Sequence, residues 1–246
     1  CLQINDTLLI IGAVSRLHNP LNLHGIAGGN LQRRAGQAAR PVQMPPGQQE
    51  QGNGGEQLAQ HHAGDNQPHR PLRVLGEKEG TAVMAESQEQ AASFLASSQE
   101  TSPSRRTLMQ STILPRTAVY TVLKRRGLDA EKLMEKYVRE VQGPASHDRY
   151  AGLEWVPRFF PVFRWAFRKT TSSSDAWVST FEEQPEKFDL TIHQCLWHDT
   201  CAACGCPEAC RFFCECDNYA FGDLKKVGFR RTQTLGTGGD CCDFHF

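Results

Sequence analysis

The stretch Cys195–Phe246 reads CLWHDTCAACGCPEACRFFCECDNYAFGDLKKVGFRRTQTLGTGGDCCDFHF, and the rest of the chain is organised around it. Nine of the ten cysteines in the 246-residue sequence lie within this stretch. It also holds carboxylates, the pair Arg230-Arg231 and the Gly-rich turn Gly236–Gly239. Thiols, carboxylates and guanidinium groups at this density indicate a functional site as well as part of a core.

A helix is predicted from Pro207 to about Phe221, because proline suits the first turn of a helix. Cys214 and Asp217 stand three residues apart on this helix and therefore share one face. A thiol one turn from a carboxylate is a candidate catalytic pair. The alternative stays open, since free cysteine is often buried and packs as a small hydrophobic residue.

Three segments around this helix alternate between apolar and polar residues, which is the period of a half-buried strand. They are Lys187–Gln194, Val227–Leu235 and Cys241–Phe246. Glycines permit a tight turn between the last two segments, so a C-terminal β-hairpin is predicted. The turn lacks the Lys-Ser/Thr pair of a phosphate-binding loop, and no nucleotide site is expected there.

The residues before this end predict supporting helices. One runs over Leu114–Arg126 and closes at Gly127, and a second starts at the capping residue Asp129 and ends at Gly143-Pro144. An aromatic and basic segment follows at 153–167. Its two prolines and the neutral charge of the chain favour aromatic side chains that cap the core or line a pocket wall over a membrane or nucleic-acid surface.

Residues 1–104 differ in composition from the rest. Phe94 is the only Phe, Tyr or Trp before residue 100, and the segment is rich in Gln, Gly and Pro. Such a sequence buries too little apolar surface to offset its chain entropy. We predict a low-complexity, disordered extension over 1–104 and an α+β domain over 105–246, with N-terminal helices packed on a small antiparallel sheet.

Charge and hydropathy exclude some classes of partner. Lys and Arg total 27, as do Asp and Glu, so the formal charge is zero and no nucleic acid is expected as a partner. No apolar run is long enough to span a membrane, and no signal peptide is recognisable. We therefore expect a cytoplasmic protein without a membrane partner, whose thiols are reduced.

A metal site is the main alternative for the cysteines. Structural zinc usually takes two ligand pairs from separate parts of the chain, whereas six of these cysteines crowd between residues 201 and 216. No cofactor is expected on this ground. If zinc does bind, Cys206, Cys210 and Cys214 are its candidate ligands.

Four motifs carry a family resemblance in combination. They are Cys195-Leu-Trp-His-Asp, Phe213-Cys214-x-x-Asp217, Gly228-Phe-x-Arg-Thr-x-Thr-Leu235 and Gly238-Gly-Asp-x-Cys-Asp-Phe244. The chain from about residue 105 to its end resembles the L-2-amino-thiazoline-4-carboxylic acid hydrolase family of bacteria. The resemblance implies hydrolytic opening of a thiazoline ring, a cyclic amidine, toward N-carbamoyl-cysteine or cysteine.

This reaction needs a nucleophile at C2, a general base and a cation for the substrate carboxylate. The matching positions imply Asp217 or Asp243 as the base and Arg231 as the carboxylate clamp. Thr232 and His198 are further substrate-binding candidates.

Two of the cysteines are candidate nucleophiles under the same resemblance. They are Cys214 and Cys195, on condition that a neighbouring cation favours the thiolate. Two non-catalytic alternatives stay open: a sensor domain that binds a small molecule or a metal in a cysteine-rich pocket, and a redox-responsive interaction module. The oligomeric state is not predicted.

Overall fold

The computed structural model describes residues 75–246, and its fold is α+β, as predicted. The helices are α1 (Glu77–Ser97), α2 (Pro103–Leu108), α3 (Leu114–Arg125), α4 (Ala130–Tyr137), α5 (Gly143–Ala151), α6 (Phe159–Ser173), α7 (Leu196–Ala203) and α8 (Cys210–Phe221). The strands are β1 (Trp177–Gln184), β2 (Lys187–Cys195) and β3 (Cys242–His245). They form one antiparallel sheet in the order β1-β2-β3.

The helices run on through two prolines. A π-helical turn at Met109–Ile113 joins α2 to α3, and another at Val138–Gln142 joins α4 to α5. Pro115 and Pro144 each come two residues after the end of such a turn. A proline lacks the backbone N–H and crowds the preceding turn, and the wider π turn accommodates both defects. The prediction that the second helix ends at Gly143-Pro144 is therefore wrong.

Helix α1 lies inside the predicted extension 1–104, yet it packs on α3. Val83 is fully buried, and Glu86 pairs with Arg125 at 3.1 Å and with Arg126 at 2.6 Å. The packed part of the chain thus begins upstream of residue 105. Residues 1–74 of the predicted extension lie outside the described residues.

Alternation along β2 has the predicted consequence. Phe188, Leu190 and Ile192 are buried, whereas Asp189 and Thr191 between them are partly exposed. Strand β1, which the sequence analysis did not predict, forms a hairpin with β2. Exposed polar residues cover most of its length and conceal the alternation.

The segment 227–235 runs alongside β3 in the antiparallel direction, but it does not form a regular strand. One bridge joins it to β3, between Arg230 and His245, with two N–H to carbonyl bonds of 2.9 Å. The N–H groups of Thr232 and Gln233 donate to the Asp243 carboxylate instead of to a neighbouring strand. A side chain thus replaces the ladder that the alternating pattern predicted.

Three phenylalanines of the aromatic segment are buried in the core, whereas its tryptophans, Trp155 and Trp165, are exposed. Phe163 and Phe167 of α6 meet Phe221 of α8 and the C-terminal Phe246, with ring centroids 5.1–6.1 Å apart. These contacts fasten the helices to the buried face of the sheet. Within 75–246, no helix has the length and apolar character that a membrane crossing requires.

Candidate active site

A buried ion pair brings together three of the predicted site residues. Arg231 donates from Nη1 to Asp217 Oδ2 at 3.0 Å and from Nη2 to the carbonyl of Cys214 at 2.8 Å. The Arg231 and Asp217 side chains are only 6% and 4% exposed. Arg231 thus has a protein carboxylate as its partner where the sequence analysis expected the carboxylate of a substrate.

The thiol of Cys214 lies in a chain of hydrogen-bonded thiols, Cys201–Cys210–Cys214–Cys242. Hydrogen bonds from the Cys210 and Cys242 thiols hold the pKa of Cys214 well below its usual range, against the opposing effect of burial. Cys210 also lowers the pKa of Cys201, but it has one proton to donate. Cys214 has a second thiol donor in Cys242, so we expect its thiolate to be the favoured one.

The two end members of this chain, Cys201 and Cys242, also contact a nearby hydroxyl group and a backbone N–H group. The N–H of Leu235 donates to Cys242 Sγ at 3.3 Å, and the Thr117 hydroxyl lies 3.7 Å from Cys201 Sγ. Donating to Cys214 raises the pKa of both Cys210 and Cys242. The sequence analysis expected a neighbouring cation to favour the Cys214 thiolate, whereas in the structure the thiols of Cys210 and Cys242 lower its pKa.

Gly236 lies directly over the two central sulfurs. A Cβ atom there would come within 2.9 Å of Cys214 Sγ, 3.0 Å of Cys210 Sγ and 3.1 Å of the Cys210 carbonyl carbon. The backbone of the Gly-rich turn therefore packs directly on the thiols, and this packing requires a residue without a side chain at position 236.

We expect Gly236→Ala to destabilise the protein by about 1–3 kcal/mol, because the added methyl overpacks the thiol cluster. Urea unfolding of the variant measures this loss. Gly228→Ala is the matched control, since a Cβ at Gly228 would have no atom within 4 Å. Equal stability of the two variants would show that the thiols move aside freely.

The other predicted carboxylate, Asp243, belongs to a second cluster on the polar face of the sheet. Its Oδ1 accepts the N–H groups of Thr232 at 2.9 Å and Gln233 at 2.8 Å. Its Oδ2 accepts the Thr232 hydroxyl and lies 3.2 Å from His245 Nε2. His245 Nδ1 lies 3.0 Å from Asp189 Oδ1, so the imidazole stands between two carboxylates.

The sequence analysis missed His245, the partner of Asp243, and Asp189, the second partner of His245. Alternation placed each on the polar face of its strand, but the register that sets Asp189 opposite His245 is a tertiary feature. Thr232, a predicted substrate-binding residue, uses both its N–H and its hydroxyl to hold Asp243.

Burial alone would raise the pKa of Asp243, but the Thr232 hydroxyl, two backbone N–H groups and His245 lower it to about 2. A group with a depressed folded pKa stabilises the protein above its unfolded pKa of about 3.9. That contribution, about 2 kcal/mol, is lost as the pH falls from about 4 toward 2. A carboxylate this acidic is also a weak base at neutral pH.

We therefore expect the free energy of unfolding to fall over this acid range in the wild type and less steeply in Asp243→Asn. Urea titrations at several pH values measure both slopes. Parallel slopes for the two proteins would mean that other carboxylates dominate the acid response.

Two predicted residues belong to neither cluster and lie at the junction of β2 and α7. Cys195 is 3% exposed, and burial raises the pKa of its thiol. His198 is half-buried and pairs with Asp199, Nδ1 to Oδ1, at 3.2 Å. Burial disfavours the thiolate of Cys195, which is the form that a nucleophile needs.

The predicted metal ligands do not share one place. Cys210 and Cys214 belong to the thiol chain, whereas Cys206 contacts the Thr121 hydroxyl at 3.7 Å, and burial raises its pKa to about 11. In the part of the chain that the structure describes, no three His, Cys, Asp or Glu side chains are arranged to hold a metal ion. All nine cysteines from Cys195 onward are free thiols.

Comparison with known proteins gives one match. A family model described as L-2-amino-thiazoline-4-carboxylic acid hydrolase matches residues 106–246, which is more than half of the chain. No curated protein and no solved structure matches. The matched range covers both residue clusters and every predicted site residue.

Proposed function

The chain belongs to the L-2-amino-thiazoline-4-carboxylic acid hydrolase family, and from this premise we propose that it opens the ring of a 2-amino-thiazoline-4-carboxylate by hydrolysis. The product of adding one water at C2 and breaking the C2–S bond is N-carbamoyl-cysteine. The observation that carries the proposal is the position of Cys214. Its sulfur lies beside that of Cys210 under Gly236, the thiols of Cys210 and Cys242 lower its pKa, and its carbonyl accepts a hydrogen bond from Arg231.

Cys214 is the nucleophile in this proposal. Its thiolate attacks C2 of the ring, and the C2–S bond breaks to release the thiolate of the substrate's cysteine moiety, which takes up a proton. The carbon that was C2 is then held by Cys214 Sγ as an S-linked isothiourea. This step uses the favoured thiolate, because the thiolate and not the thiol is the attacking form.

Water completes the reaction. Its hydroxyl adds to the isothiourea carbon and its proton goes to the C=N nitrogen. The carbon–Sγ bond then breaks, which regenerates the Cys214 thiol and leaves a carbamoyl group on the product. The net change is the addition of one water.

Asp217 and Arg231 are positioning residues in this account. Arg231 joins a carbonyl on α8 to the segment 227–235 and lies 5.5 Å from the ring of Phe244 on β3. Asp217 compensates its buried charge, as a buried guanidinium requires. Together they hold the backbone of α8 at Cys214, and with it the position of the Cys214 thiol.

The test is turnover by the full 246-residue chain. Incubation with L-2-amino-thiazoline-4-carboxylate under reducing conditions is expected to yield N-carbamoyl-cysteine, identified by mass spectrometry, with a rate unaffected by chelators. A folded protein that yields no product would overturn the proposal.

A second candidate, binding of a small molecule without catalysis, has a different observation in its favour. A cavity of about 440 Å³ lies between α1 and the helices α2 and α3, and its lining is mostly apolar. Met84, Leu95 and Leu114 contribute to it, with Arg106 at its edge. This cavity is not the cysteine-rich pocket that the sensor alternative assumed, and absence of turnover would direct ligand screening to it.

A further inference from the structure

Trp177 and Trp197 form a stacked pair where β2 passes into α7. Their ring planes are 7° apart and their centroids 5.2 Å apart. The N–H of Leu196 donates to the carbonyl of Ala176 at 2.9 Å, which ties the start of α7 to the start of β1. This backbone bond and the stacking of the rings hold the two indoles in place. Neither indole has a role in the mechanism proposed above.

Three polar atoms, one on each indole and one on Thr200 a turn further along α7, have no hydrogen-bond partner among the described residues. Trp177 Nε1, Trp197 Nε1 and Thr200 Oγ1 are buried without a hydrogen bond to any residue that the structure describes. The three residues are only 9%, 0% and 3% exposed. Thr200 follows Trp197 by three residues and so shares its face of α7. Buried polar groups are nearly always paired, and these indicate an occupant that supplies hydrogen-bond acceptors.

The reaction leaves one substrate group without a partner. The substrate carries a carboxylate, and the cation first expected to hold it, Arg231, is paired with Asp217 inside the protein. A carboxylate accepts up to about four hydrogen bonds, which matches a set of two N–H groups and a hydroxyl. Hydrogen bonds of this kind favour the charged form of a carboxylate.

The position of the three atoms fits this demand. Cys201 follows Thr200 directly, and its thiol is hydrogen-bonded to Cys210, which donates to Cys214. The unpartnered groups therefore lie at one end of the thiol chain that contains the proposed nucleophile. We propose that Trp177, Trp197 and Thr200 bind the carboxylate of the thiazoline substrate, an assignment that rests on the proposed function.

The experiment measures binding without turnover. Titration calorimetry on the full-length Cys214→Ser protein compares the thiazoline carboxylate with its methyl ester. Trp177→Phe and Trp197→Phe keep an aromatic ring in the stack and remove the N–H, and Thr200→Val removes the hydroxyl at equal size. Each change is expected to raise the dissociation constant of the carboxylate about tenfold or more, with a much smaller effect on the ester.

Trp165→Phe is the matched control, because this tryptophan is 48% exposed and outside the pair. It should leave both affinities unchanged. If both buried Trp→Phe variants bind the carboxylate as tightly as the parent does, an ordered water fills the site and the assignment is overturned. Failure of the folded parent to bind the carboxylate also overturns it.

The same titration separates this inference from the proposed function. Carboxylate binding that depends on the two indoles, in a protein whose wild type shows no turnover, would support the binding site and contradict the hydrolase. Turnover whose KM does not change in the Trp177→Phe and Trp197→Phe variants would support the hydrolase and contradict the binding site.

Discussion

Replacing Cys214 with serine is expected to reduce ring opening by on the order of a thousandfold or more, because the variant lacks the attacking thiolate. The hydroxyl of serine keeps the size of the thiol but does not ionise near neutral pH. The measurement is the rate of N-carbamoyl-cysteine formation at saturating substrate. Binding of substrate should change little, since the carboxylate is held elsewhere.

Cys216→Ser provides the control for this experiment. Cys216 lies on the same helix and is 2% exposed, but its thiol donates to the carbonyl of Phe212 at 3.3 Å. Burial raises its pKa to about 12, so its thiolate is disfavoured. This variant should keep turnover near the wild-type rate. A Cys214→Ser protein that retains turnover, while Asp217→Asn loses it, would instead establish attack by water with a carboxylate base.

The second large effect concerns stability. Asp217→Asn is expected to cost about 3–5 kcal/mol, because it leaves the buried charge of Arg231 without compensation. The side chains on both sides of this ion pair are almost fully shielded from solvent, so screening by water does not reduce the loss. Urea unfolding at neutral pH measures the change in the free energy of unfolding.

A double variant tests the cause of that loss. Asp217→Leu with Arg231→Met removes both charges and fills similar volume with apolar groups. It should be less destabilised than Asp217→Asn alone, since no unpaired charge remains. A double variant that is as unstable as the sum of its single changes would contradict the account. In that case the stability would come from the hydrogen bonds that Arg231 Nη2 donates to the Cys214 carbonyl at 2.8 Å and to Asn218 Oδ1 at 3.1 Å.

Local patterns predicted much of the site-bearing half of the fold. Proline at position 207 precedes a helix that continues to Phe221, through a short 3-10 turn at Pro207–Ala209. The alternation in β2 predicted which side chains are buried. The spacing of Cys214 and Asp217 predicted a shared helix face, and in the structure Arg231 bonds to both residues, at the Cys214 carbonyl and the Asp217 carboxylate.

Tertiary features escaped the same reasoning. Helix α7 is a short run beside several cysteines, with no apolar period to reveal it. The π turns before Pro115 and Pro144 depend on packing and not on residue type alone. The Asp243 carboxylate accepts the N–H groups of Thr232 and Gln233, which the predicted strand would have used for pairing. An alternation of polar and apolar residues does not predict such a bond. Cys242 belongs to the same thiol chain as Cys201, Cys210 and Cys214. It is distant from them in sequence, so its position beside them depends on the tertiary fold.

The hydrolase account depends most directly on a covalent bond to Cys214. The decisive measurement is acid quenching of the full chain during turnover of L-2-amino-thiazoline-4-carboxylate, followed by peptide mapping by mass spectrometry. The account predicts a peptide containing Cys214 that is heavier by one whole substrate molecule, because the ring-opened isothiourea retains every substrate atom. Accumulation of product with the adduct on a different cysteine, or with Cys214 unmodified and dispensable, would contradict it.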